Sequence, residues 1–212
     1  MYEIVAIIQS LINQNQRIFK MKFNSDITPV SNPIKTKPSS FYYFGDLCYI
    51  FDSENWNCIC DIIGSEQNAC IIDNTEIKLK NGFIPNTIAL ASTDCGDGCY
   101  PVQKNLSKSL NTIQFVCNTP VDSGTMGLVE IGSEEEWSLL KQELSSYRRP
   151  VGTVFKTNED SIVLSVIDCV IDVGNDEEVE MASIYNIVVL DEQNNILLEA
   201  ATDDFYCLLD WE

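Results

Sequence analysis

Histidine is absent from all 212 residues. That removes the side chain that most often acts as a general base near neutral pH, and the commonest metal ligand. Catalysis would have to run on carboxylates, thiols, Tyr or Lys. Basic residues are scarce as well: 13 Lys and Arg stand against 32 Asp and Glu, for a net charge of −19. A surface of this sign repels nucleic acid and anionic membrane and attracts basic surfaces. Long apolar runs are also missing. Met1 to Ile12 is apolar over about a dozen positions, broken by Glu3 and Gln9, short of the ~20 residues that a membrane span needs. The segment has neither the basic start nor the small-residue cleavage site of a secretory signal, so a cytoplasmic location is expected. No phosphate loop, dinucleotide fingerprint or Ser-centred elbow occurs.

What is present is distributed unevenly. Residues 111–212 hold 21 acids against 4 bases, a net of −17, whereas residues 1–110 hold 11 against 9, a net of −2. Hydrophobic content of 45% is enough for a folded core despite this charge. The cysteines number nine, an odd count at irregular spacing, and most fall inside apolar segments. Free Cys behaves there as a small hydrophobe, which suits a reducing compartment. Structural zinc usually takes two well-spaced pairs of Cys or His, and no such set occurs here.

The spacing of Ile4, Ile7, Ile8, Leu11 and Ile12 predicts an amphipathic helix within residues 1–23. It would dock on the body or join two copies through residues 1–20. Residues 24–40 carry Pro29, Pro33 and Pro38 among Ser, Thr and Asn and are expected as an extended linker. A single α+β body is expected over 41–212, dominated by antiparallel strands. Within it, Ser53 to Ile63 reads as a helix capped by Ser53. Strands are expected over Phe41–Phe51, interrupted near Gly45, and over Ala69–Ile72, Thr75–Leu79, Asn86–Thr93, Thr112–Cys117 and Thr125–Ile131. Ser133 with Glu136 forms a capping box that opens a helix whose apolar stripe is Trp137, Leu140 and Leu144. From about residue 158 the chain reads as an acidic β-meander: Ser161–Val173, Val179–Leu190 and Ile196–Ala201, separated by turn-forming residues.

The tract Asp94-Cys95-Gly96-Asp97-Gly98-Cys99 is the sharpest local signal. Asp94 and Asp97, with Asp122 from another loop, offer the hard oxygen donors that Ca²⁺ or Mg²⁺ prefers. The simpler reading is a turn whose aspartates bond their own backbone, with no cofactor. Carboxylate runs recur at Glu134–Glu136, Glu159-Asp160, Asp176-Glu177-Glu178 and Asp203-Asp204. With 32 acids, no glycosidase-like pair can be singled out.

Three blocks together resemble a loosely defined set of uncharacterised bacterial and phage proteins. They are Gly45-Asp46-Leu47-Cys48-Tyr49-Ile50 with Trp56 beyond it, Gly96-Asp97-Gly98-Cys99-Tyr100-Pro101-Val102, and Val121-Asp122-Ser123-Gly124-Thr125-Met126-Gly127-Leu128-Val129. Leu47 departs from the family pattern, which has Pro there. The resemblance covers roughly Phe41 to Ile131 and implies a small cytosolic domain of phage or bacterial type. It carries no activity and no catalytic residues.

These features lead to the expectation of a non-enzymatic acidic protein that blocks a basic, nucleic-acid-handling partner, as a phage anti-defence protein or a toxin-immunity protein would. Direct contact with nucleic acid or membrane is not expected. Glu159, Asp160, Asp176, Glu177, Glu178, Asp203 and Asp204, at turns and strand ends of the meander, are the expected partner contacts. A surface that only confers solubility is the bland counterpart. The competing classes are a carboxylate- or metal-dependent hydrolase centred on Asp94, Asp97 and Asp122, and a self-assembling structural protein.

Overall fold

A computed structural model describes residues 23–29, 34–37, 39–66, 69–73, 76–93, 96–104, 110–158, 163–172, 181–191 and 196–201. They form an α+β architecture of thirteen strands and two α-helices. The strands are β1 (Phe23–Pro29), β2 (Ile34–Lys35), β3 (Phe41–Gly45), β4 (Ala69–Asp73), β5 (Thr87–Ser92), β6 (Gly98–Lys104) and β7 (Leu110–Gln114). They continue as β8 (Asn118–Val121), β9 (Thr125–Gly132), β10 (Gly152–Thr157), β11 (Val163–Asp172), β12 (Met181–Leu190) and β13 (Ile196–Ala201). The helices are α1 (Ser53–Glu66) and α2 (Glu134–Leu144), and a 3-10 turn spans Leu47–Tyr49.

Two antiparallel sheets result. One runs β1-β11-β12-β13-β6-β8, with β2 also paired to β11; the other runs β4-β5-β9-β3-β10-β7. The second sheet is covered on both faces, and the alternation of its side chains builds both layers. Tyr42, Phe44, Ala89, Ala91, Met126 and Leu128 face the first sheet in one core cluster. Their neighbours Phe41, Tyr43, Ile88, Leu90, Val129 and Ile131 face Ile59 of α1 and Trp137, Leu140 and Leu144 of α2 in another. The central strand β9 is buried at all eight positions, and apart from Thr125 and Glu130 it carries only apolar residues and glycine. Leu47 and Tyr43 lie where a Cβ on Gly127 or Gly152 would stand, so close packing requires glycine at both places.

The meander β11-β12-β13 forms in the expected order, with Val163 opposite Leu190 and Leu198 opposite Val189. The α2 capping box is present, Glu136 accepting from the Ser133 backbone N–H and hydroxyl. Other expectations need correction. Residues 24–40 are not a free linker: they supply β1 and β2, which pair with β11. Pro29 is tolerated because it ends a strand at a sheet edge. The expected N-terminal helix lies outside the described residues except for Phe23, which begins β1. Of the strand expected over Thr75–Leu79, Thr75 lies outside the described residues, and among the others Leu79 alone makes a bridge, to Phe51. Asp52 rather than Ser53 caps α1, its Oδ1 accepting from the Asn55 N–H at 2.8 Å. Strands β6 and β8 were obscured by Pro101 and Pro120. Pro101 sits where β6 exchanges β8 for β13 as its partner, and Pro120 lies on an edge strand.

Candidate functional site

Asp46 follows β3 and is completely buried, with 0% exposure. A buried carboxylate is costly unless its lone pairs are filled by donors. Four donors fill them here. Oδ1 accepts from the Cys48 N–H at 2.9 Å and the Ser123 hydroxyl at 2.6 Å. Oδ2 accepts from the Asp122 N–H at 2.7 Å and the Ser123 N–H at 3.0 Å. The bond to Cys48 caps the 3-10 turn. The other three tie that turn to the loop between β8 and β9. With its proton committed to Asp46, Ser123 Oγ accepts from Thr125 Oγ1, 2.7 Å away.

The clasp continues outward. The Tyr49 hydroxyl donates to the Asp122 carboxylate. Tyr49 meets Tyr147 edge to face, with ring centroids 4.9 Å apart. Lys80 Nζ donates to the Tyr49 carbonyl at 2.7 Å and to the Tyr147 hydroxyl at 3.3 Å. The loop before β6 joins on the other side. The Thr93 N–H donates to the Gly124 carbonyl at 2.8 Å. The Gly96 carbonyl accepts from the Thr93 hydroxyl at 2.6 Å and the Tyr100 hydroxyl at 3.0 Å. Gly96 and Gly124 both adopt the left-handed region, with φ of +75° and +66°. The three sequence blocks therefore meet at one place.

The chemistry available there is structural. Burial pushes the Cys48 thiol well above its usual range, and the carboxylates of Asp46 and Asp122 add to the effect. The thiol stays protonated and is a poor nucleophile. Burial, then the bond to Asp122, holds the Tyr49 hydroxyl protonated as well. Asp46 has no oxygen left over for a substrate.

A second buried carboxylate, Glu130 of β9, anchors the N-terminal segment. It accepts from Ser40 Oγ at 2.8 Å, Lys37 Nζ at 3.2 Å and Asn86 Nδ2 at 3.3 Å. The Lys37 N–H donates to the Tyr42 hydroxyl at 2.7 Å.

Of the expected cation ligands, Asp97 and Asp122 are exposed, and Asp94 lies outside the described residues. The register Gly98↔Val121 puts Asp97 and Asp122 beside the same end of the β6–β8 ladder. Among the described residues, no group of three or more His, Cys, Asp or Glu is arranged to hold a metal. Glu159, Asp160, Asp176, Glu177, Glu178, Asp203 and Asp204 all lie outside the described residues. Sequence reasoning missed Asp46 and Glu130 as central residues. A signal was available: Asp46 is the sole charge between Phe41 and Phe51, and Glu130 the sole charge in β9.

The residues thus define an antiparallel two-sheet sandwich with a helical layer, clasped by a buried carboxylate. Compared with known proteins, the chain matches no family model, no curated protein and no solved structure. Among the described residues no helix is long and apolar enough to cross a membrane.

Proposed function

We propose that this chain is a non-enzymatic acidic binding protein that occupies a basic surface on a nucleic-acid-handling partner in the cytoplasm. The observation that carries the reading is the charge partition, 21 acids against 4 bases in residues 111–212. Carboxylates set at the spacing of a Lys/Arg groove compete with phosphates for it and speed encounter by long-range attraction. Free cysteines at positions 48, 58, 60 and 117 suit a reducing compartment. The resemblance of the three blocks to bacterial and phage proteins makes an anti-defence or toxin-immunity role the natural setting.

The test is affinity capture from host lysate at low and high salt, using the parent and a variant with Asp176→Lys, Glu177→Lys and Glu178→Lys. A basic protein retained at low salt and lost as the Debye length shrinks below ~8 Å supports the reading. The reversal slows association more than it speeds dissociation if that turn docks. Retention that ignores both salt and charge reversal refutes the electrostatic mechanism. A saturable rise in thermal stability with millimolar Ca²⁺ or Mg²⁺, abolished by Asp97→Asn, would favour a metal-dependent hydrolase instead.

A further inference from the structure

Both helices of the helical layer expose acidic and apolar side chains on one stripe. On α2, Glu135, Leu139 and Glu143 follow at intervals of four and are all exposed, so they form one solvent stripe. Leu139 at its centre is 47% exposed. On α1, Glu54, Cys58 and Ile62 follow at the same interval, all exposed, with Glu66 next in the spacing. Ile62 is 41% exposed. The segment 76–84 joins the helices: Asn55 Oδ1 accepts from the Lys78 N–H at 2.9 Å, and Asn81 Nδ2 donates to the Glu136 carbonyl at 2.8 Å. That segment carries Ile84, 45% exposed. Three of the five exposed large apolar side chains among the described residues thus belong to this layer. Its two helices together hold seven Asp and Glu and one Lys.

We infer that this layer is the docking face for the basic partner, and that its partner side chains are Arg and Lys. The inference rests on the proposed acidic-binding function and assigns it a surface. A carboxylate alone attracts any cation. On α2, Leu139 between carboxylates four residues away on each side fits something narrower, a long side chain with an apolar stem and a cationic head. Arg and Lys have that form and lay their methylenes along apolar surface while the head stays polar. Leu139 takes the stem and Glu135 and Glu143 take the head; on α1, Ile62 adds apolar contact area and Glu54 adds negative charge. The arrangement of apolar centre and polar rim is the usual anatomy of a protein interface. Interior needs do not explain Leu139, because α2 buries Trp137, Leu140 and Leu144 on its opposite side.

The experiment uses the full chain, isotopically labelled, titrated with a deca-arginine peptide and followed by amide chemical shifts. The expected result is saturable binding with shifts concentrated in 54–66 and 134–143. An Ile62→Ser, Leu139→Ser variant, with charge unchanged, should weaken binding about tenfold, a factor worth about 1.4 kcal/mol. Leu139→Gln is a second variant that keeps side-chain bulk, and it should weaken binding in the same direction. Thermal melts confirm that the exposed substitutions leave the fold intact. Saturable binding with shifts outside the helical layer, or affinity unchanged in both variants, overturns this docking face while leaving the acidic-binding function standing. An absence of salt-sensitive binding to deca-arginine overturns both.

Discussion

Replacing Asp46 by Asn changes one atom and tests whether a buried charge holds the clasp. The amide keeps one carbonyl oxygen and puts an NH₂ where the other oxygen stood. If the NH₂ takes the Oδ2 position, the N–H groups of Asp122 and Ser123 both lose their acceptor and face a donor. If it takes the Oδ1 position, Ser123 Oγ can turn to accept from it and pass its own proton to Thr125 Oγ1, leaving only the Cys48 N–H stranded. The second arrangement is cheaper. It costs about 1–3 kcal/mol for one buried unsatisfied donor. The two bonds that remain at the carbonyl fall from charge-assisted to neutral strength, a further ~1 kcal/mol each. Relief of the desolvated charge offsets part of this. The net expectation is a loss of about 3 kcal/mol for Asp46→Asn. Asp46→Ala, which removes all four bonds and leaves a void, should cost about 5 kcal/mol or more. Ser123→Ala, which leaves Asp46 with three backbone donors, should cost only about 1–2 kcal/mol. Urea unfolding measures the series. With a slope near 3 kcal/mol per molar, Asp46→Asn lowers the midpoint by about 1 M at unchanged slope. A midpoint within about 0.3 M of the parent, or Ser123→Ala costing as much as Asp46→Ala, would refute the reasoning.

Three further outcomes are expected. Tyr42, Tyr43 and Tyr49 are each held protonated, burial being the leading cause for all three, so at least these three of the eight tyrosines should fail to ionise in an ultraviolet titration until the protein unfolds. Their folded-state values lie above the unfolded value of about 10, so their stability contribution is complete below that pH and is lost as pH rises above it. At pH 8, iodoacetamide followed by peptide mass mapping should modify exposed Cys58 and Cys117 about tenfold or more ahead of Cys48, whose thiol is half-buried and pushed up. Gly127→Ala would bring a Cβ against Leu47 and within 2.9 Å of the Ala89 carbonyl, and Gly152→Ala would drive one into the Tyr43 ring; each should destabilise by about 2 kcal/mol or more in thermal melts, whereas Gly82→Ala, with open space around it, should lose only what its φ of +81° demands.

Periodicity made the meander and α2 legible, because each declares itself locally. Val163–Asp172 is a ten-residue run in which five residues are β-branched, and Ser133 with Glu136 is a capping signature before an apolar stripe. The same local rules hid β6 and β8. A proline inside a short run argues against a strand, and only the topology shows that Pro101 sits at a change of partner and Pro120 on an edge. The stretch 24–40 misleads for the same reason: Pro29 and Pro38 look like linker composition, while Glu130, nearly a hundred residues on, accepts from Lys37 and Ser40 and holds the segment to the second sheet. Long-range bonds of this kind leave no trace in a window of neighbours. The candidate site was half legible. Runs of acids stand out in a composition scan, but the two central carboxylates are single charges in apolar company, and that isolation is their signature.

The clasp and the helical layer are mechanically one device. The 3-10 turn pinned by Asp46 runs within a few residues into α1, whose first turn is capped by Asp52. Tyr147, three residues beyond the end of α2, meets Tyr49 of the same turn edge to face and accepts from Lys80, which is bonded to the Tyr49 carbonyl. Both helices are therefore tied to a single buried point. A docking face held this way loses little conformational freedom when a partner arrives, so more of its contact energy remains as affinity. The consequence is specific. Loosening the clasp with Asp46→Asn should raise amide hydrogen exchange in α1 and α2 together, well before global unfolding, and should weaken deca-arginine binding although no contact residue has changed. Exchange that rises only in the loop between β8 and β9, with the helices and the affinity unaffected, would mean that the helices are held by their apolar cores alone and that the clasp serves only the sheet.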